Sequence, residues 1–441
     1  MVLSALYGLL IIVIIFLRPK LFIYWFFLIN CLEPVVISYF LNIPKPSLFI
    51  FYLGGVPFKS INQFGIILMT VLYPLANSFE KKITILNSFA NSKRSLYMFI
   101  IGILIITLIK TLIYGDLSIL LNLTTLLIFP TTLLNILYFF PTKKSAKKLF
   151  NFFFYSTLIL FFLFVYFSVI PYFQKVNSID FENRLRNYLY FGSNGTAAFL
   201  GIFLFMFLLK IKHIHSYFKK TLYYLIIFLL LISLLFTFTR TIFISLFLIL
   251  LIDFFIFQNK KMNVIYFLAF SIVMFSFFGV EILNVLTRGD DSNTLIDLNT
   301  EGEDTFSFRI YKLWIPSIIE IFNNFIYILL GVEDRGFNEF LYRITGLRYA
   351  NHNASLLYLV SSGVVSVILF LKFWFRLFKD FSKEIFSNSN VVNKRDIKLC
   401  FYSLLVFFIS INFMSTYHVL FVLQVSIIIN YSVSLSIKDK S

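Results

Sequence analysis

Residues 95–113 read SLYMFIIGILIITLIKTLI, nineteen positions with a single ionisable side chain, Lys110. An α-helix rises 1.5 Å per residue, so about twenty apolar residues cross the ~30 Å hydrocarbon layer of a bilayer. This run reads as a membrane-crossing helix, and so do its neighbours. Working outward, similar runs lie at 2–17, 21–43, 61–79, 117–140, 149–171, 192–209, 222–236, 241–257, 263–284, 354–375, 398–412 and 417–435, thirteen in all. The first is short and Glu33-Pro34 interrupts the second, so twelve crossings plus a re-entrant piece is the other reading. In lipid each span satisfies its own backbone hydrogen bonds, and runs this continuous lack the alternation of a membrane barrel. With 59% hydrophobic and 13% charged residues, the expected fold is an all-α polytopic integral membrane protein with about 12–13 transmembrane helices.

One stretch breaks the pattern. Asn284–Asn353 holds ten of the chain's twenty-one carboxylates (Asp290, Asp291, Asp297, Glu301, Glu303, Asp304, Glu320, Glu333, Asp334 and Glu339) against Lys312 and five arginines. The chain therefore divides into 1–283, transmembrane helices with short loops; 284–353, one large loop; and 354–441, the C-terminal transmembrane helices.

Lysine and arginine in alternate loops set the orientation. The set 18–20, 80–94, 141–148, 210–221, 258–262, 376–398 and 437–441 carries twenty-four, and the opposite set, long loop included, carries twelve. The positive-inside rule makes the first set cytoplasmic and the long loop external, which in a bacterium means the periplasm or the outer surface. The two faces also differ in kind. Only four of the twenty-four inner cations are Arg, whereas eight of the twelve outer ones are: Arg184, Arg186, Arg240, Arg288, Arg309, Arg335, Arg343 and Arg348. Topology needs only charge, and Lys supplies that. Arg adds a planar fork that grips phosphate or carboxylate at two points. The outer face reads as built to hold an anion, or else these arginines pair with the loop's own acids.

The net charge of +17 follows the loops and calls for no nucleic acid. Cys31 and Cys400 both fall in apolar runs and suggest neither a disulfide framework nor a thiolate metal site. The first run lacks a basic lead and a cleavage site and reads as a retained span. No Walker loop, dinucleotide fingerprint, HExxH or DxD run is present, and Asp290-Asp291 reads as solvated turn. No metal and no cofactor is expected.

Four outer clusters carry the candidate chemistry. Arg184-Leu185-Arg186 precedes Gly192-Ser193-Asn194-Gly195, and Thr237 to Thr241 forms a polar turn around Arg240. Arg309-Ile310-Tyr311-Lys312-Leu313-Trp314 leads into an apolar, helical stretch ending at Leu330-Gly331-Val332, and Asn351-His352-Asn353 opens the span 354–375. Arg240 either meets an inward-facing partner or snorkels to the interface. His352 either exchanges protons near neutral pH or caps the helix together with Asn353.

Thr239-Arg240, Arg309 with Trp314, Leu330-Gly331-Val332, and His352-Asn353 with Gly363, in that order, resemble the O-antigen ligase/polymerase superfamily of bacterial surface-polysaccharide assembly. Gly192-Ser193-Asn194 resembles the family's polar motif at the start of a middle span. Arg184…Gly195 and Arg335…Gly346 match an Arg-x10-Gly spacing found in some of its polymerases. The match runs over about residues 180–380; Phe308 stands where the family has a small residue, and Glu333 follows the Leu-Gly-Val element in place of glycine. The resemblance implies a glycosyltransferase acting on undecaprenyl-diphosphate-linked glycans, with His352, Arg309 and Arg240 in catalysis. Arg184, Arg186, Arg288, Arg335, Trp314 and Asn353 would bind substrate. It further implies a chain-length regulator and a flippase as pathway partners. The leading expectation is an O-antigen polymerase; the alternatives are the ligase that moves finished glycan to lipid A core, and a flippase for the same units.

Overall fold

The computed structural model describes residues 2–35, 52–53, 56–76, 89–116, 119–120, 122–175, 193–211, 214–237, 239–253, 309–333, 337–346, 353–387, 391–413 and 419–436. The span 263–284, the acidic segment 290–304, and Arg184, Arg186, Arg288, Arg335 and His352 lie outside them. The described chain is helical apart from a two-residue hairpin, Tyr52–Leu53 with Val56–Pro57.

The helices are α1 (Val2–Leu17), α2 (Pro19–Val35), α3 (Phe58–Thr70), α4 (Ala90–Tyr114), α5 (Asn122–Phe139), α6 (Lys143–Phe164), α7 (Ile170–Lys175), α8 (Ser193–Ile211), α9 (Tyr217–Leu235) and α10 (Arg240–Ile252). The segment before the last three helices contributes α11 (Ile315–Phe322), α12 (Phe325–Leu330) and α13 (Phe337–Thr345), followed by α14 (Ala354–Ser387), α15 (Val391–Phe413) and α16 (Val419–Ser436). Among the described residues, four helical stretches are long and apolar enough to cross a membrane: α4, α9, α14, and 143–174, where a π-helical turn joins α6 to α7. Six shorter apolar helices stand among them. Peripheral helices present large apolar side chains outward, as at Leu108, Leu112, Leu225, Phe228 and Ile368. Such a surface belongs to a membrane-embedded protein.

α16 is the hub. Every described side chain from Val419 to Leu435 is buried, and α2, α5, α6, α8 and α15 pack around it. Beside it a cluster of rings joins α4, α5, α14 and α15. Trp374 stacks on Phe129 at 5.4 Å and meets Phe408 at 5.0 Å, while Phe99 meets Tyr358 at 5.3 Å. Lipid is as apolar as these side chains, so close packing and interhelical hydrogen bonds, rather than burial from water, hold the helices together. Asn135 Nδ2 donates to the Ile66 carbonyl at 3.0 Å and to Thr70 Oγ1 at 2.8 Å, and Tyr358 Oη donates to the Leu126 carbonyl at 2.7 Å.

The central pair is α4 with α14, which run antiparallel. At one end Asp380 of α14 accepts from the Ser92 amide at 3.0 Å and from Ser92 Oγ at 2.5 Å. The residue before α4 is Phe89, whose side chain offers no acceptor, so Asp380 supplies the N-terminal cap from another helix. α4 closes on Gly115 at φ 66°, the left-handed conformation that turns a chain out of a helix. Asp380→Ala is expected to cost about 2–3 kcal/mol, since a buried amide loses its acceptor, whereas Asp380→Asn keeps an acceptor and costs about 1 kcal/mol. Thermal unfolding in detergent reads the difference; an alanine variant as stable as the parent would refute the cap.

Other contacts join Lys-rich segments at shared ends. Lys398 Nζ meets Asp253 Oδ1 at 2.6 Å, and Lys210 Nζ donates to Asn151 Oδ1 at 2.6 Å.

Candidate functional site

The sequence suggests that the cluster from Arg309 to Trp314 leads into an apolar, helical stretch ending at Leu330-Gly331-Val332. The structure has three pieces. Arg309–Trp314 is a π-helical turn, α11 follows with Pro316 in its first turn, and Asn323-Asn324 breaks the chain before α12. Asn324 makes the break definite, because its Oδ1 accepts from the Ile326 amide at 2.9 Å and starts the next helix. These pieces are not simply a solvated loop. Leu313, Ile321, Val332, Phe340 and Leu341 form a small core of their own, closed by Leu356 and Val360 of α14.

The segment docks on α14 where that helix breaks. Gly363 sits at φ 73°, ψ −176°, and Gly331, just past α12, at φ 78°, ψ 177°. Both conformations are in practice open only to glycine. The two residues face each other across the contact. A Cβ on Gly331 would lie 2.4 Å from the Val360 carbonyl oxygen, and one on Gly363 would lie 2.4 Å from that of Leu329. Backbone therefore touches backbone, and the Val332 amide donates to the Val360 carbonyl at 2.8 Å. Leu330-Gly331-Val332 and Gly363, picked out separately in the sequence, form one structural unit.

Breaking a helix strands carbonyls, and each needs a new donor. Ser366 Oγ donates to Tyr358 O at 2.7 Å, the Val332 amide to Val360 O, and Lys110 Nζ to Ser361 O at 3.0 Å. Lys110 is 1% exposed. In the sequence it is one of a few sparse intramembrane charges, without a role; its place in the middle of an apolar run was the only signal.

Between α11 and α14, spanning the break at Gly363, lies a cavity of 330 Å³ lined by Trp314, Ile318, Phe322, Asn353, Ser355, Leu356, Leu359, Val364, Val367 and Ile368. Its walls are apolar and its polar residues, Asn353 and Ser355, both stand at the start of α14. Phe322 and Ile368 are each 57% exposed, so the rim opens on the apolar flank of the bundle. Ser355 Oγ donates to Asn412 Oδ1 of α15 at 2.9 Å, which fixes the polar end.

Two candidate residues, Trp314 and Asn353, are thus brought to one cavity. Asn353 also caps α14, with Oδ1 accepting from the Leu356 amide at 3.0 Å. Asn353 thus fills the capping role suggested for it; His352 lies outside the described residues. Arg309 opens the π-helical turn and Arg240 opens α10, which fixes their backbone positions; their side chains lie outside the description. Among the arginines that the sequence assigns to the outer face, Arg343 follows the alternative reading. It lies 3.7 Å from Glu320 with both side chains well exposed, a surface pair, and over the Phe340 ring at 5.5 Å. No protein-family model matches the chain, and no curated protein matches it.

Proposed function

We propose that the chain polymerises lipid-diphosphate-linked oligosaccharide units at the outer face of the bacterial inner membrane. One observation carries this reading: Trp314 and Asn353, distant in sequence, line the same apolar cavity, whose rim opens on the apolar flank of the bundle. A polyprenyl tail needs such a slot, reached sideways from the bilayer, and a diphosphate head needs cations at its polar end. His352 is next to Asn353 in the chain, and Arg309 lies about one helical turn before Trp314.

The step is a glycosyl transfer. The bond between the donor sugar and its diphosphate breaks, the acceptor hydroxyl oxygen bonds to that sugar, and the hydroxyl proton leaves. Arg309 and Arg240, with Arg184, Arg186, Arg288 or Arg335, would hold the diphosphate and offset the charge it gains. His352 would orient the hydroxyl and take its proton. The energy resides in the donor bond, which accounts for a sequence without a nucleotide motif.

The test is the glycan of a strain lacking the gene. Core carrying one unit is the expected outcome; bare core with full chains held on the carrier means the ligase, and single units confined to the cytoplasmic leaflet mean a flippase.

A further inference from the structure

Lys110 sits on α4, away from the residues proposed for chemistry, yet it meets α14 at the break. The other stranded carbonyls there take their hydrogen bonds from a hydroxyl and a backbone amide, which cost little to bury. Ser361 takes its bond from an ammonium that is 1% exposed. Burying a cation inside the membrane costs several kcal/mol, and such residues usually serve function.

The surroundings show what the bond holds. The short half of α14 from Ala354 to Ser362 is separated by Gly363 from the long half that Asp380 ties to α4. Its backbone is held by Val332 on one side and Lys110 on another. It carries Asn353, Ser355, Leu356 and Leu359 into the cavity, and His352 immediately precedes it. A shift of this half-helix by about 1 Å would displace the polar end of the cavity relative to α11, and misplacement on that scale costs about a hundredfold in rate.

We propose that Lys110 is a positioning residue: its ammonium pins the Ser361 carbonyl and so fixes the half-helix that presents the polar end of the cavity. The role in turnover rests on the polymerase reading; the mechanical role does not.

The test compares Lys110→Met with Lys110→Arg in the full-length protein in lipid nanodiscs. Hydrogen exchange reads the Val332 amide, and single-unit substrate reads elongation. Lys110→Met is expected to speed exchange at Val332 at least tenfold while amides of α16 keep their protection. Turnover should fall at least tenfold with KM changed less than threefold, and Lys110→Arg should restore most of both. Unchanged exchange at Val332, or faster exchange with unchanged turnover, overturns the proposal. Loss of protection along α16 as well overturns it in favour of a purely structural role. Faster exchange at Val332 in a protein whose parent elongates nothing leaves the pin standing and removes the polymerase reading.

Discussion

Gly363→Ala is expected to separate the segment 309–333 from α14 and to destabilise the protein by more than about 4 kcal/mol. Two costs combine. A side chain at φ 73° with extended ψ carries about 1–3 kcal/mol of backbone strain. Its Cβ would also lie 2.4 Å from the Leu329 carbonyl oxygen, and a backbone atom cannot swing aside as a side chain can. Relief requires α12 to move off α14, which breaks the Val332–Val360 hydrogen bond and opens the small core around Leu313 and Phe340. Gly331→Ala should do the same from the other side, since it faces Val360 and Ser361. The control is Gly115→Ala. Gly115 also has a positive φ, 66°, but no atom lies within 4 Å of the added Cβ, so only strain is felt, about 1 kcal/mol. Thermal unfolding of the three variants separates contact from conformation. Equal losses in all three would refute the reciprocal glycine contact.

Arg309→Ala, Arg240→Ala and His352→Ala are each expected to leave a folded, membrane-inserted protein that yields only one-unit glycans, with elongation reduced about a hundredfold or more. Arg309→Lys is the sharper variant. It keeps the charge and loses the fork, so two-pronged phosphate binding predicts failure while a merely structural cation predicts normal chains. Arg343→Ala should leave chain length unchanged, because its partner is Glu320 at the surface. A normal ladder of chain lengths from Arg309→Ala, Arg240→Ala and His352→Ala together would sink the assignment.

The helical architecture was legible because lipid tolerates few alternatives. A run such as 95–113, without competing polar groups, has to be a helix, and it is the heart of α4. The elements of the site were legible in part. Leu330-Gly331-Val332, Gly363, Trp314 and Asn353 all stand out in the sequence, but nothing local says that the two glycines meet or that Trp314 and Asn353 share a cavity. Those facts depend on how α14 breaks, and carbonyls at the break find donors elsewhere in the chain, at Val332 and Lys110. The helical stretch expected beyond Trp314 is interrupted at Asn323-Asn324, where a short amide side chain competes with the helix for backbone donors. The small core around Leu313 and Phe340 was hidden because its members are too scattered for any one periodic run to reveal.

The most direct measurement gives the purified protein, in liposomes, a single lipid-diphosphate-linked repeat unit with a radiolabelled sugar, and follows the products by size. The account predicts a ladder of lengthening glycans on the lipid carrier, lost when Arg309 is replaced by alanine and when Ile318→Trp fills the cavity. Substrate that stays at one unit in the presence of folded parent protein, or a ladder indifferent to a filled cavity, would contradict it.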